Sequence, residues 1–112
     1  MARRLPSRFN QFATAYPDVA AAYEALGNSV HEAGPVDTKT RALVKLGVSV
    51  GVWLEGAVHS AVRKALDAGA TAEEIRHTII LALPTIGFPS TMAALTWADD
   101  VLPKARRGEK RK

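Results

Sequence analysis

The chain has 112 residues, of which 47% are hydrophobic and 23% charged, and its formal net charge is +4. Length and composition are those of one globular domain and exclude an extensively disordered chain, while the absence of cysteine excludes disulfides, thiolate metal sites and cysteine nucleophiles. No apolar run approaches the ~20 residues that cross a membrane, and residues 1–16 lack the apolar segment of a signal peptide, so we expect a cytoplasmic protein without a membrane span.

Two helices are predicted in the N-terminal third of the chain. Apolar residues recur at helical spacing, and no alternating run is long enough for a strand. The first helix is predicted near 6–15. The second is predicted over about 17–33, because Pro17 suits a first helical position and Gly34 followed by Pro35 ends a helix.

A long helical stretch follows the sequence VDTKT. Asp37 or Thr38 is a suitable N-cap for it, and Gly69 suits the position just after a last helical residue. Three glycines inside the stretch are candidate points for a break into two helices: Gly47, Gly51 and Gly56.

The remaining helices are predicted from a cap, a proline and a turn. Thr71 lies three residues before a glutamate in TAEE, the pattern of a capping box that opens the apolar run IRHTIILALPTI. Pro84 is expected to kink or end that helix. The sequence GFPS predicts a turn, and a last helix should begin at Pro89 or Ser90 and end before Pro103. The sequence therefore predicts an all-α, single-domain bundle of about five to six helices.

Positive charge is concentrated at the C-terminal end. The last twelve residues contain six basic residues and one acidic residue, so the rest of the chain is close to neutral. We expect residues 1–103 to form the domain and residues 104–112 to form a basic, disordered tail. A nucleic-acid interface is disfavoured, because Arg3, Arg4 and Arg8 and the tail lack interleaved aromatic residues.

The long stretch places a carboxylate and an imidazole, Glu55 and His59, four residues apart. On one continuous helix they share a side with four aliphatic residues: Val48, Val52, Val62 and Leu66. Side chains four apart are neighbours, so Glu55 can hold one tautomer of His59 or stabilise its protonated form. Two interpretations are open: a buried polar pair that satisfies itself, and an acid/base site.

Metal and cofactor binding are not expected. Glu55 and His59 supply two ligands, and no second histidine at a suitable spacing completes a set. His77 lies opposite the apolar stripe of its helix, four residues after Glu73, and is expected to be solvated in a local ion pair. His31 is expected to act as a cation at a helix end.

Three segments together resemble the carboxymuconolactone decarboxylase and alkylhydroperoxidase-D-like superfamily, over roughly residues 36–102. They read DTKTRALVKLGVSVG, LEGAVHSAVRKALDAGATAEEIRHTIILAL and IGFPSTMAALTWADDVL. The most specific part is the helix with a histidine, followed by an alanine- and leucine-rich turn, a glycine and Thr-Ala-Glu-Glu-Ile. The resemblance implies an all-helical homo-oligomer, commonly a trimer or hexamer, with its active site at the histidine helix.

The resemblance also distinguishes two chemistries. Peroxidase members carry Cys-x-x-Cys before the histidine, and the matching positions here are Val52 and Glu55, so thiol peroxidase activity is not expected. Their upstream glutamate falls on Ala42. Decarboxylase-like members carry Glu-x-x-x-His, which Glu55 and His59 match. The resemblance thus implies a decarboxylase- or lyase-like enzyme without a cofactor, in which His59 transfers a proton and Glu55 orients it, on a small organic acid or lactone.

Four further residues are candidates for substrate binding. Arg41 is the candidate for stabilising the anion that decarboxylation generates, although a surface arginine at a helix start is its simpler interpretation. Trp53, Phe88 and Trp97 are candidates for apolar walls, although aromatic residues in a small helical domain are commonly core.

Oligomer formation is also expected from two apolar residues, Ile80 and Leu81. They point away from the main apolar stripe of their helix, so an interface between subunits would bury them; an enclosed helix in a monomer is the alternative. The alternative function is a catalytically silent oligomeric scaffold or binding module.

Overall fold

The structure, a computed structural model, describes residues 7–103, without the side chain of Ser7. Every regular element in this range is helical, which confirms the all-α prediction: six helices have nine or more residues and one has four. The elements are α1 (Ser7–Ala15), α2 (Pro17–His31), α3 (Thr38–Val52), α4 (Glu55–Asp67), α5 (Ala72–Ile80), α6 (Leu83–Ile86) and α7 (Phe88–Val101). The predicted tail, residues 104–112, lies outside the described residues.

The chain divides into two compact units, of which the first contains α1 and α2. These helices lie where the sequence predicts them, and Pro17 opens α2. The rings of Phe12 and Tyr16 are in contact, with centroids 5.4 Å apart. Four apolar side chains follow one face of α2 and are exposed: Val19, Tyr23, Leu26 and Val30.

The second unit contains α3 to α7 and an apolar core. Helix α3 packs against α4 and α5, while α7 packs against α4, α5 and α6. The fully buried aliphatic side chains with the largest volumes are Leu46, Val50, Val58, Val62, Ile75 and Ile79. Alanines face this core from α4 and α7, and their small side chains allow close packing of helices: Ala61, Ala65, Ala94 and Ala98. None of the described helices is long and apolar enough to cross a membrane.

The long predicted stretch is two helices, and the break occurs at Trp53 rather than at a glycine. Trp53 adopts a left-handed conformation (φ 60°, ψ 48°), which costs an ordinary residue about 1–2 kcal/mol. Its indole N–H donates to the Ser90 carbonyl at 3.3 Å, and its ring contacts that of Trp97. These contacts with α7 offset the cost. The three glycines proposed as break points lie inside helices: Gly47, Gly51 and Gly56.

The break changes which side chains share a face. The prediction that Val48 and Val52 share a side with Val62 is wrong, because α3 ends at Val52 and α4 is a separate helix that packs against it. Val62 is fully buried, whereas Val48 and Val52 are 62% and 58% exposed.

Local caps confirm the predicted helix starts. The Asp37 side chain accepts a hydrogen bond from the Thr40 backbone N–H. Hydrogen bonding with the Thr40 side chain, followed by this backbone bond, lowers the pKa of Asp37. Thr71 and Glu74 form the capping box, with the Thr71 hydroxyl accepting from the Glu74 N–H at 3.0 Å. The reciprocal bond from the Thr71 N–H, followed by a bond from Lys39, lowers the pKa of Glu74. These bonds to ionised Glu74 stabilise the fold at neutral pH and are lost as the pH falls through the lowered pKa.

Most of the other helix ends lie close to the predicted positions. Gly69, with φ of 96°, follows the end of α4. Helix α5 ends before Pro84, which lies in the short α6. The last helix begins at Phe88, one residue earlier than predicted, because Gly87 makes the turn with φ of 91°. Its last residue precedes Pro103, as predicted.

Candidate functional site

His59 lies one turn into α4, at the edge of the core. Its neighbours Val58 and Val62 are fully buried, while its own side chain is 23% exposed. Glu55 is the first residue of α4, where a carboxylate interacts favourably with the positive end of the helix dipole. The Glu55 Oε2 atom lies 3.9 Å from His59 Nε2, and the Glu55 side chain is 57% exposed. The interpretation as a buried core pair therefore does not describe these residues.

A third side chain, Asp100, completes the cluster. Packing of α7 on α4 places Asp100 Oδ2 3.0 Å from His59 Nε2. The Asp100 side chain is 51% exposed. The two carboxylates thus approach the same ring nitrogen from two different helices, and the three nearest ligand atoms all lie within 4.8 Å of one another. Sequence reasoning identified Glu55 and His59 but missed Asp100.

The residue before Asp100 makes a separate contact. Asp99 accepts hydrogen bonds from Nε and Nη2 of Arg76, on α5, both at 3.1 Å. Two consecutive carboxylates near the end of α7 are unfavourable beside the negative end of the helix dipole unless cationic groups compensate them. This pattern in the sequence could have indicated that both aspartates have partners on other helices, although it would not have identified His59 as one of them.

The cluster is able to bind and release a proton. When His59 Nε2 carries the proton it donates to Asp100, and in the neutral ring Nδ1 is then the acceptor. When the ring is protonated, both nitrogens donate. The geometry therefore fits a histidine acid/base whose ring is oriented by a carboxylate.

Two of the four predicted binding residues flank this cluster along the chain. Trp53 lies just before Glu55, and Trp97 lies one turn before Asp100 on α7. Their ring centroids are 5.4 Å apart, with an interplanar angle of 49°. Trp53 is 48% exposed. The aromatic pair therefore joins the two chain segments that carry Glu55 and Asp100.

The other two candidates lie farther along their helices. Phe88 is exposed at the start of α7, about 18 Å along the helix axis from Asp100 at ~1.5 Å per residue. Arg41 lies in the first turn of α3, at the end remote from the α3–α4 connection. Burial, followed by the charges of Lys64 and Arg41, lowers the pKa of Lys45, so Arg41 belongs to a cationic group. Substrate binding by Phe88 and Arg41 stays a prediction.

The remaining histidines lie on other helices. His77 is exposed on α5, as predicted, and Glu73 is exposed one turn before it. His31 is the last residue of α2, where a cation is favoured.

The cluster lies within the part of the chain that matches a known protein family. The sequence model of the Carboxymuconolactone decarboxylase family matches residues 17–100, which include Glu55, His59 and Asp100. A search of curated proteins found no match to the chain.

Proposed function

Because the chain belongs to the carboxymuconolactone decarboxylase family, we propose that it is a cytoplasmic acid/base enzyme that acts without a cofactor on a small organic acid or lactone. His59 transfers the proton, Glu55 and Asp100 orient the imidazole, and Trp53 with Trp97 forms an apolar wall. The chain has no cysteine, so thiol-dependent peroxide reduction has no nucleophile and is excluded.

The observation that carries this proposal is the placement of two carboxylates at one nitrogen of a partly exposed histidine. Asp100 is within hydrogen-bond distance of His59 Nε2, and Glu55 lies less than 1 Å farther away, at 3.9 Å. A carboxylate that accepts from one ring nitrogen fixes the tautomer and ring orientation, which is what a general acid or base requires. A partly exposed imidazole is also accessible to a small molecule.

The proposed reaction is decarboxylation with proton transfer to carbon. The bond between the carboxylate carbon and the adjacent carbon breaks, carbon dioxide leaves, and the electron pair stays on the substrate as an enolate-like anion. Protonated His59 gives its proton to that carbon and is then reprotonated by water. Anion stabilisation is the second requirement, for which Arg41 remains the candidate.

Turnover of small lactones and keto acids by the full chain tests the proposal. We expect carbon dioxide release from at least one compound, and a rate that depends on pH as general acid catalysis requires. A matched Asp100→Asn variant should shift that pH profile, because the orienting carboxylate is lost. A parent protein that turns over no compound of these classes would instead favour a catalytically silent scaffold or binding module.

We also propose that the chain forms a homo-oligomer, as a trimer or hexamer. Several exposed apolar side chains in the second unit support this, including three in line on α3 and the predicted pair after α5: Val44, Val48, Val52, Ile80 and Leu81. Such surface is unusual for a monomer.

Light scattering at micromolar concentration should accordingly give a mass that is a multiple of the 12.0 kDa chain. Leu81→Glu, which places a charge on the 65% exposed Leu81 side chain, should reduce the mass, whereas Thr85→Glu at an exposed polar position should not. A monomer mass for the parent protein would contradict the oligomer.

A further inference from the structure

We propose that Glu55, His59 and Asp100 bind a divalent transition-metal ion such as Zn²⁺, and that the bound ion blocks proton transfer at His59. The first statement depends only on the geometry of the cluster. The second rests on the proposed function, because it concerns the imidazole that the proposed enzyme uses as its acid.

The ligand atoms converge on one place. Glu55 Oε2 and Asp100 Oδ2 lie 3.9 and 3.0 Å from His59 Nε2. Ligand atoms bound to a tetrahedral Zn²⁺ at ~2.1 Å are about 3.4 Å apart, so both distances are within about half an ångström of that value. Glu55 is exposed, and rotation of its side chain can close the remaining separation from Asp100. Replacement of the hydrogen bond by a metal between the same atoms requires little movement of the backbone.

The donor chemistry selects the class of ion. One imidazole and two carboxylates suit Zn²⁺, Co²⁺ and similar ions, whereas Mg²⁺ and Ca²⁺ prefer oxygen ligands alone. The two carboxylates supply two negative charges, which a divalent cation neutralises. Partial exposure of all three side chains leaves the remaining coordination positions open to water.

The third ligand distinguishes this cluster from an ordinary pair on a helix. His77 and Glu73 on α5 have the same spacing of four residues as His59 and Glu55. Within residues 7–103, however, the sole group of three or more metal-binding side chains is that of Glu55, His59 and Asp100. Helix α4 alone supplies two ligands, too few for a metal site, and packing of α7 adds the third.

A metal ion on Nε2 is incompatible with the doubly protonated ring that gives a proton to the substrate. A metal ligated by His59 Nε2 occupies the nitrogen that otherwise carries the proton toward Asp100. It also draws Glu55 and Asp100 into coordination. The ion therefore acts as an inhibitor of the proposed acid/base reaction rather than as its cofactor.

Calorimetric titration of the full chain with Zn²⁺ at neutral pH tests the binding. We expect one ion per chain, which an excess of Co²⁺ displaces and the same excess of Mg²⁺ does not. Three variants should each weaken Zn²⁺ binding at least about tenfold: Asp100→Asn, Glu55→Gln and His59→Gln. Removing a group that only supports a metal ligand already lowers metal affinity by about tenfold, so removing a ligand should lower it at least as much. The matched control His77→Gln should bind as the parent does. Unchanged affinity in Asp100→Asn, lost affinity in His77→Gln, or no binding by the parent would each overturn the site.

Nuclear magnetic resonance of the unaltered protein gives a readout that does not depend on the folding of a variant. Zn²⁺ should shift the ring-proton signals of His59 and leave those of His77 in place; a shift at His77 alone would contradict the site.

Neither measurement needs a substrate, so failure of metal binding leaves the proposed enzyme intact, and failure to find turnover leaves the metal site intact. Where turnover is found, Zn²⁺ should abolish it in the parent, and activation by Zn²⁺ would overturn the inhibitory role.

Discussion

Replacing His59 by glutamine is expected to reduce turnover at least ~100-fold, the usual contribution of a general acid or base. The same change should lower the free energy of unfolding by no more than about 1 kcal/mol, because contacts to exposed carboxylates contribute little. The exposed fractions of 57% for Glu55 and 51% for Asp100 are the basis of this expectation. Steady-state rates and urea unfolding of the same preparation measure both effects.

The double change Glu55→Gln/His59→Gln is the control for a structural role. In a buried ion pair, His59→Gln alone would leave an unpaired charge, cost about 3 kcal/mol or more, and be largely rescued in the double variant. We expect no such rescue, since Glu55 is solvated in either case. His77→Gln should retain both activity and stability. Three results together would contradict the catalytic role of His59. The parent would be inactive, His59→Gln would be strongly destabilised, and the double variant would recover most of the lost stability.

Replacing Ile79 by alanine is expected to lower the free energy of unfolding by about 2–5 kcal/mol. Ile79 is fully buried on α5, which packs against both α3 and α7, so the truncation leaves a cavity between helices. Urea unfolding, with the slope compared to that of the parent, measures the loss.

The next residue supplies a matched control. Ile80 has the same side chain on the same helix but is 46% exposed, so Ile80→Ala should change the free energy of unfolding by no more than about 0.5 kcal/mol in a monomer. Equal losses at Ile79 and Ile80 would contradict the described core. A loss at Ile80 that grows with protein concentration would instead report burial of that face between subunits.

The parts of the fold that sequence reasoning predicted correctly depend on residues close together in the chain. The Asp37 cap, the Thr71–Glu74 capping box and Gly69 after α4 each involve contacts within a few residues, so local pattern suffices to predict them. The exposure of Ile80 also follows from its position relative to the apolar stripe of α5. The spacing of Glu55 and His59 is local in the same sense, and it carried the family resemblance.

Long-range packing decided the rest. Trp53 ends α3 because its side chain bonds to Ser90 and contacts Trp97, both on α7, and these contacts compensate a backbone conformation that local propensity disfavours. Three glycines whose backbones have more conformational freedom stay helical: Gly47, Gly51 and Gly56. Likewise, Asp100 reaches His59 across a separation of 41 residues, through the packing of α7 on α4.

The amino-acid sequence by itself determined the helical class, most helix ends, the absence of thiol chemistry and the Glu55–His59 pair, because composition and contacts along one helix are properties of neighbouring residues. Only the tertiary structure decided that this pair lies at the surface and that Asp100 joins it. The reason is physical: helix periodicity specifies which side chains share a face, whereas the partner that faces them depends on which helices the buried apolar residues bring together. Asp100 became part of the cluster because Ala94 and Ala98 bury their side of α7 in the core that α4 also lines.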